Sequence, residues 1–414
     1  MVAAIQLQAS YILVPMDESQ KEHLKAYGIT YWIIDKGVDA YWLLNYRGGS
    51  FAFPFTTTFE RECLTRNVSY EVIPDAKFNA IRTEIGNQEV NQEVIKLEVA
   101  PQIAVYTPDQ AKGKRVQPWD DAVTLVLTYA EIPYETVYDQ DVLDGKLAKY
   151  DWLHLHHEDF TGQYGKFYRS YHAELWYQEN QRMMEELARS LGFSKVSQLK
   201  LSVVKKIKEY VEGGGFMFAM CSATDSFDIA LAAAGLDICE KMYDGDSADP
   251  NAQEKLDFSR TFAFKDWRLV KNPMEYEYST IDMSPTKRNV KPELDYFTLF
   301  DFSAKWDVIP TMLTQNHTRT VKGFMGQTTA YDREYIKSDV LVMGENKSVN
   351  EARYIHGTFG YGTWTFYGGH DPEDYRHYVE DPETDLNLHP TSPGYRLILN
   401  NVLFPAAKKK KRKT

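Results

Sequence analysis

Short apolar runs, separated by polar or glycine-rich intervals, set the layout of this chain. Residues 11–14 and 40–44 are apolar, 69–73 forms a further run, and Asp17 stands where it can cap a helix carrying His23 to Tyr27. Alternation of this kind predicts a parallel sheet covered by helices over 11–75. From 77 to 100 polar residues dominate, and the near-repeat at 87–93 reads as a linker or an exposed helix. A clearer run begins at 102–106, followed by a helix over 120–129 and strands over 135–138 and 152–156. Two helices are predicted over 172–190 and 198–212, the second amphipathic through Leu201, Val204, Ile207 and Val211 and stopped by three glycines. A strand, a cysteine and a helix over 225–234 come next, the helix ending at Gly235. Between 240 and 350 the pattern is irregular, with 310–313 and 340–343 as strand candidates. A hairpin over 354–359 and 363–367 turns at Gly360-Tyr361-Gly362, and a helix over 395–404 follows Pro393-Gly394.

The most informative stretch is Gly213-Gly214-Gly215-Phe216-Met217-Phe218-Ala219-Met220-Cys221-Ser222-Ala223-Thr224-Asp225. It reads as a glycine turn, a buried strand, a cysteine and a helix start. In a strand-turn-helix elbow the side chain at the turn projects above the sheet edge, near the N–H groups and positive dipole of the helix that follows. The elbow pattern puts glycine two residues either side of the nucleophile, and here those places hold Ala219 and Ala223. Two readings of Cys221 therefore stand side by side, an exposed nucleophile and a buried packing residue.

Length and charge narrow the field. A chain of 414 residues is expected to form two or three domains, each with its own core. The pattern divides it into 1–10, a possible remnant of a signal peptide; 11–100, an N-terminal α/β subdomain and linker; 101–405, the main domain; and 406–414, a basic disordered tail. A net charge of -12 argues against nucleic acid as the main partner, and no stretch has the length of a membrane span. Cys63, Cys221 and Cys239 cannot all pair within the chain and have no C-x-x-C spacing, so disulfides do not define the fold. Neither a cytoplasmic nor a periplasmic location is singled out, and the oligomeric state is not legible.

The glycine run leading to Ser222-Ala223-Thr224-Asp225, with Gly360-Tyr361-Gly362-Thr363-Trp364-Thr365-Phe366-Tyr367-Gly368-Gly369-His370-Asp371 far downstream, resembles the ThuA-like family of the class I glutamine amidotransferase-like superfamily. The resemblance covers 100–404 and implies a flavodoxin-like parallel sheet with helices on both faces, preceded here by the smaller α/β subdomain. ThuA-like proteins have histidine near the elbow where this chain has Cys221, whereas the amidotransferases have cysteine. Bacterial proteins that go under the name asparagine synthetase B also resemble the chain over its whole length. The motifs for that activity are missing: residue 2 is Val2, and Arg47-Gly48-Gly49-Ser50 lacks the aspartate of a pyrophosphate-gripping loop. ATP-dependent asparagine synthesis is not expected.

The superfamily resemblance implies that His370, after a late strand, is the base for Cys221. The family's orienting acid falls where Pro372 sits, which leaves Asp371 or Glu373 for that role. A histidine within reach of the thiol takes its proton and later protonates the leaving group. Alternatively, His370 caps a turn. The second constellation is His154, His156, His157, Glu158 and Asp159, at the carboxyl end of a predicted strand, where open α/β sheets bind ligands. These residues, with Ser222, Asp225 and Arg319, are the candidates for substrate contact. His154 and His156 with Glu158 or Asp159 form the donor set of an alternative, metal-dependent hydrolase. A third reading is a non-catalytic carbohydrate- or peptide-binding protein. The aromatics Trp152, Tyr164, Phe167, Tyr168, Trp176 and Tyr177 form either a sugar-stacking wall or core. The leading expectation is a Cys-His hydrolase acting on a small amide or carbohydrate-type substrate, with no cofactor.

Overall fold

The computed structural model describes residues 10–108, 120–155, 157–283, 287–379 and 381–407; residues 1–9, the basic run 408–414 and His156 lie outside them. Ser10, assigned above to a leader remnant, opens the first strand. The early part of the chain forms β1 (Ser10–Val14), α1 (His23–Asp35), β2 (Ala40–Leu44), β3 (Ser50–Pro54), α2 (Thr57–Thr65), β4 (Glu71–Pro74), α3 (Asp75–Ile85) and β5 (Glu93–Leu97). The strands make one sheet in the order β4-β1-β3-β2-β5. Every pairing in it is antiparallel, not parallel as the alternation predicts. The reason is local. β2 and β3 are joined through Gly48 and Gly49, whose φ angles of 74° and 87° make a turn too short for the crossover that parallel neighbours need. The polar interval 77–100 is not a linker either. α3 buries Phe78, Ile81 and Ile85, and β5 pairs with β2 along its length.

The rest of the chain builds a larger sheet. Its elements are β6 (Ile103–Tyr106), α4 (Ala122–Tyr129), β7 (Glu135–Val137), α5 (Asp139–Leu143), β8 (Trp152–Leu155), α6 (Tyr168–Tyr171), α7 (Leu175–Ser190), α8 (Val196–Glu212), β9 (Phe216–Met220), α9 (Ser222–Ala232) and α10 (Lys241–Asp244). They continue as β10 (Tyr296–Leu299), α11 (Val308–Leu313), β11 (Thr320–Lys322), β12 (Tyr331–Asp332), β13 (Leu341–Asn346), β14 (Glu351–Phe359), β15 (Gly362–Tyr367) and α12 (Pro393–Leu403). The sheet order is β11-β10-β13-β14-β15-β9-β8-β6-β7, with β12 paired to β14. From β15 to β7 the neighbours are parallel; from β15 outward to β11 they are antiparallel. β6 and β8 are buried at every residue, which is why β6 reads as an unbroken apolar run and β8 as one interrupted only by His154. The strand expected at 310–313 is instead the end of α11, whose Pro310 sits in the first turn, where a missing N–H costs nothing.

The two sheets share one core. Trp42 and Leu44 of β2, Val126 and Leu127 of α4, and Ile398 and Val402 of α12 belong to a single buried cluster. Arg396 of α12 fastens it. Its guanidinium, fully buried, donates to Met16 O at 2.9 Å, to Tyr27 Oη at 3.1 Å and to Gly48 O. Beside it Tyr27 Oη reaches Asn400 Oδ1, and Asn400 Nδ2 donates to Leu313 O at 3.1 Å and Gln315 O at 2.8 Å. Replacing Arg396 by methionine leaves Gly48 O without its donor and Met16 O with His23 Nε2 alone, at 3.0 Å, so Arg396→Met is expected to lower stability by about 1–3 kcal/mol, read from the urea midpoint.

Candidate functional site

β9 and β15 are parallel neighbours, with Met220 opposite Tyr367 at their carboxyl ends. One residue beyond Met220, the chain turns into α9 at Cys221, whose φ of 54° and ψ of -138° lie outside the regions open to ordinary L-residues. A residue held there stores about 1–3 kcal/mol of strain and persists only because its surroundings fix it. Ala219 and Ala223 flank it and are fully buried, small enough for the crowding that glycine otherwise relieves. Beyond Tyr367 the chain passes Gly368 and Gly369 to His370. Gly369 has a φ of 103°, and a side chain there would run into the Phe324 ring.

The two late motifs therefore meet. Ligand atoms of Cys221, His370 and His157 lie within 4.8 Å of one another, and the rings of His157 and His370 are 4.2 Å apart. All three residues are buried. A loop lies directly on the sulfur. Gln327 N–H donates to Cys221 Sγ at 3.2 Å, and Gly326 approaches so closely that a Cβ would fall 3.1 Å from Sγ and 2.7 Å from His370 N. The loop is held at both ends by Arg353 of β14, which donates to Phe324 O at 2.6 Å and Thr329 O at 3.0 Å. Asp295 neutralises that guanidinium at 2.9 Å.

The acid facing His370 is Asp120, just before α4, and not Asp371 or Glu373. Asp120 Oδ1 lies 3.7 Å from His370 Nε2 and 3.2 Å from His377 Nε2, and the rings of His370 and His377 stack at 4.5 Å. At 3.7 Å the first contact is a charge pairing longer than an ordinary hydrogen bond. Burial disfavours the imidazolium of His370, but the Asp120 carboxylate and the Cys221 sulfur outweigh it and push its pKa up to about 10. For Asp120, burial works the other way, and His370 and His377 together still hold its carboxyl below the usual range. Asp371 is taken up elsewhere, accepting from Tyr395 Oη and from Glu373 N–H, each at 2.8 Å. Glu373 faces His389 at 3.1 Å.

The loop after β8 divides. His157 donates through Nε2 to Asp120 O at 2.7 Å, which ties it to the site. His154 is a core residue, with Nε2 at 2.9 Å from Asp121 Oδ2 and Nδ1 at 3.2 Å from Phe218 O. Glu158 points to the buried Lys200 of α8 at 3.1 Å, and burial lifts its pKa to about 7. Asp159 accepts from the N–H groups of Thr161, Gln163 and Gly165 and so shapes its own turn. The metal set expected from His154, Glu158 and Asp159 does not converge, and His156 lies outside the described residues. Ser222 Oγ donates to His157 O at 3.0 Å. Asp225 is fully buried and accepts from Thr328 Oγ1 at 2.8 Å, which supports the loop over the sulfur. Arg319 pairs with Asp301 in a different groove, beside Asn316 and Gln315, and takes no part in the Cys221 cleft. Of the aromatics, Phe167 lines the cleft, whereas Trp152 and Tyr177 are core.

Asp120 and His377 are functional neighbours that pattern reading misses. Asp120 does carry a signal: it opens a helix at the carboxyl edge of the sheet, two strands from the cysteine. His377 has none, because it arrives on an irregular segment.

No protein-family model matches the chain, and no curated protein matches it by sequence. Among solved structures, one cytoplasmic protein of Salmonella typhimurium is 10% identical over 73% of this chain and 97% of its own, with a TM-score of 0.36. A second from the same organism is 11% identical over 74% of this chain and 100% of its own, also at 0.36. A GH42 β-galactosidase is 11% identical over 66% of this chain and 28% of its own, at 0.28. Likenesses this slight carry no weight for fold or activity.

Two outcomes follow from the geometry. Gly326→Ala is expected to slow alkylation of Cys221 by roughly tenfold or more, because backbone at 2.7 Å cannot yield cheaply. The His370 imidazole titrates near about 6.5 when unfolded and near about 10 when folded. The folded state thus holds the proton more tightly, and the stability gained is complete below the lower value and lost as pH rises through the upper one. The melting temperature of the wild type should exceed that of Asp120→Asn most at about pH 6 and lose that margin by about pH 10.

Proposed function

We propose that this chain is a cysteine-dependent hydrolase of the class I glutamine amidotransferase-like kind, akin to its ThuA-like branch, acting on a small amide or carbohydrate-type substrate. The observation that carries the reading is the meeting of Cys221, on strained backbone at an elbow, with His370 and Asp120 at the carboxyl ends of adjacent strands. The order of the parallel strands supports it. Counted along the chain, they lie second, first, third, fourth, fifth, the order of flavodoxin-type sheets.

In this reading His370 takes the thiol proton of Cys221, and the sulfur adds to a substrate carbonyl, forming a C–S bond as the carbonyl π bond opens to an oxyanion. His370, held as imidazolium by Asp120, gives its proton to the departing nitrogen or oxygen as that bond breaks. Water then attacks the thioester, its proton passes to His370, and the acyl group leaves the sulfur as a carboxylic acid. Backbone N–H groups at the start of α9 are the donors available to a developing oxyanion, while the Gln327 N–H stays on the sulfur. Asp120 positions the imidazole in the role expected of Asp371 or Glu373.

A second reading rests on a specific observation as well. The ligand atoms of Asp120, His370 and His377 lie within 4.8 Å of one another, as do those of His157, Cys221 and His370, and such N, O and S donors suit zinc. Metal analysis after purification without chelator separates the two: less than about 0.2 equivalents of bound metal removes the metal centre. For the thiol reading, Cys221 should react with iodoacetamide near pH 7 roughly tenfold faster than free cysteine, and His370→Ala should remove that advantage. Labelling at the free-cysteine rate would leave the cleft as a binding site without a nucleophile.

A further inference from the structure

The cleft above Cys221 encloses about 280 Å³. The sulfur and His370 form its base, Phe167, Tyr171 and Tyr276 its wall, and Arg376 stands at its rim. Arg376 follows His370 by six residues on the irregular segment after β15. Its guanidinium is placed by weak contacts only, with Nη1 at 3.4 Å from the Tyr378 hydroxyl and Nη2 at 3.6 Å from Met325 Sδ. Among the described residues no carboxylate pairs with it, and none lines the cleft. The neighbouring His377, by contrast, is held by Asp374 at 2.9 Å.

In a chain of net charge -12, an exposed guanidinium with no carboxylate partner among the described residues, at the rim of an aromatic cleft that already holds His370 at its base, stands free to take an anion. Guanidinium offers a planar fork of donors that matches a carboxylate in two parallel hydrogen bonds, and it presents this charge at any working pH. Phe167 and Tyr276, with ring centroids 5.8 Å apart and planes at 37°, supply an apolar wall against which the body of a small ligand can pack. Resting on the thiol reading above, we propose that Arg376 selects substrates bearing a carboxylate beyond the reacting carbonyl, so that the cleft takes small carboxylate-bearing amides or esters.

The test pairs an anionic reagent with its neutral counterpart. In the full chain, the rates of Cys221 alkylation by iodoacetate and iodoacetamide are compared in wild type, Arg376→Met and Arg376→Lys. The iodoacetate-to-iodoacetamide ratio is expected to fall about fivefold in Arg376→Met, to fall less in Arg376→Lys, and to decline in wild type as salt is raised. An unchanged ratio in Arg376→Met overturns the proposal. Slow labelling by both reagents in wild type tells instead against an activated thiol. Anion selection is then read without the sulfur, by calorimetric titration of Cys221→Ala with phenylacetate and with phenylacetamide. Tighter binding of phenylacetate, lost on adding Arg376→Met, upholds the assignment; equal affinity or no binding of either ends it.

Discussion

The parallel pairing of β9 with β15 is the constraint on which the rest of the site depends. Their register puts Met220 opposite Tyr367, so the residues that follow each strand emerge on the same edge of the sheet. Neither strand carries the chemistry. Each delivers one reactive group at its end, and the 148 residues between Cys221 and His370 in the chain are folded away to make that delivery possible. Parallel strands need long crossovers, and this chain uses the crossover itself, with its antiparallel extension from β10 to β14, to build the loop that covers the sulfur.

That loop shows how a buried charge positions an uncharged contact. Arg353 is fully buried and would be costly there unpaired, but Asp295 and Glu351 neutralise it, and its remaining donors grip Phe324 O and Thr329 O. Gly326 and Gln327 then lie on Cys221 with little freedom. Strain at the elbow and rigidity in the loop belong together: a residue with unfavourable backbone angles stays in place only if what packs on it cannot move.

Much of the larger sheet was legible because burial on both faces leaves apolar runs at 103–106 and 216–220, and at 152–155 a run broken only by His154. Cys221 was legible for the same reason, standing where such a run stops, whereas His370 was singled out by the superfamily resemblance and not by an apolar run. The N-terminal sheet was misread because strand-helix alternation is shared by parallel and antiparallel layouts, and the deciding feature is a turn of a few residues around Gly48 and Gly49. Asp371 and Glu373 stood closer to His370 in sequence than Asp120, yet nearness along a chain after a strand end says little about direction. Tyr395 and His389 claim those two carboxylates. The loop over the sulfur lies in the irregular region 240–350, where no periodicity marks what a segment will touch.

The clasp at Arg396 ties Met16, Tyr27 and Gly48 to a helix at the opposite end of the chain. While the protein is being made, α1 can pack on β2, α2 and α4, but the part of α1 that α12 covers stays open until that helix has left the ribosome. Docking across so many intervening residues is slow, and the exposed faces invite aggregation in the meantime. The first layer is therefore sealed only once α12 has been made and has docked, so its final packing waits on the longest-range contact in the fold.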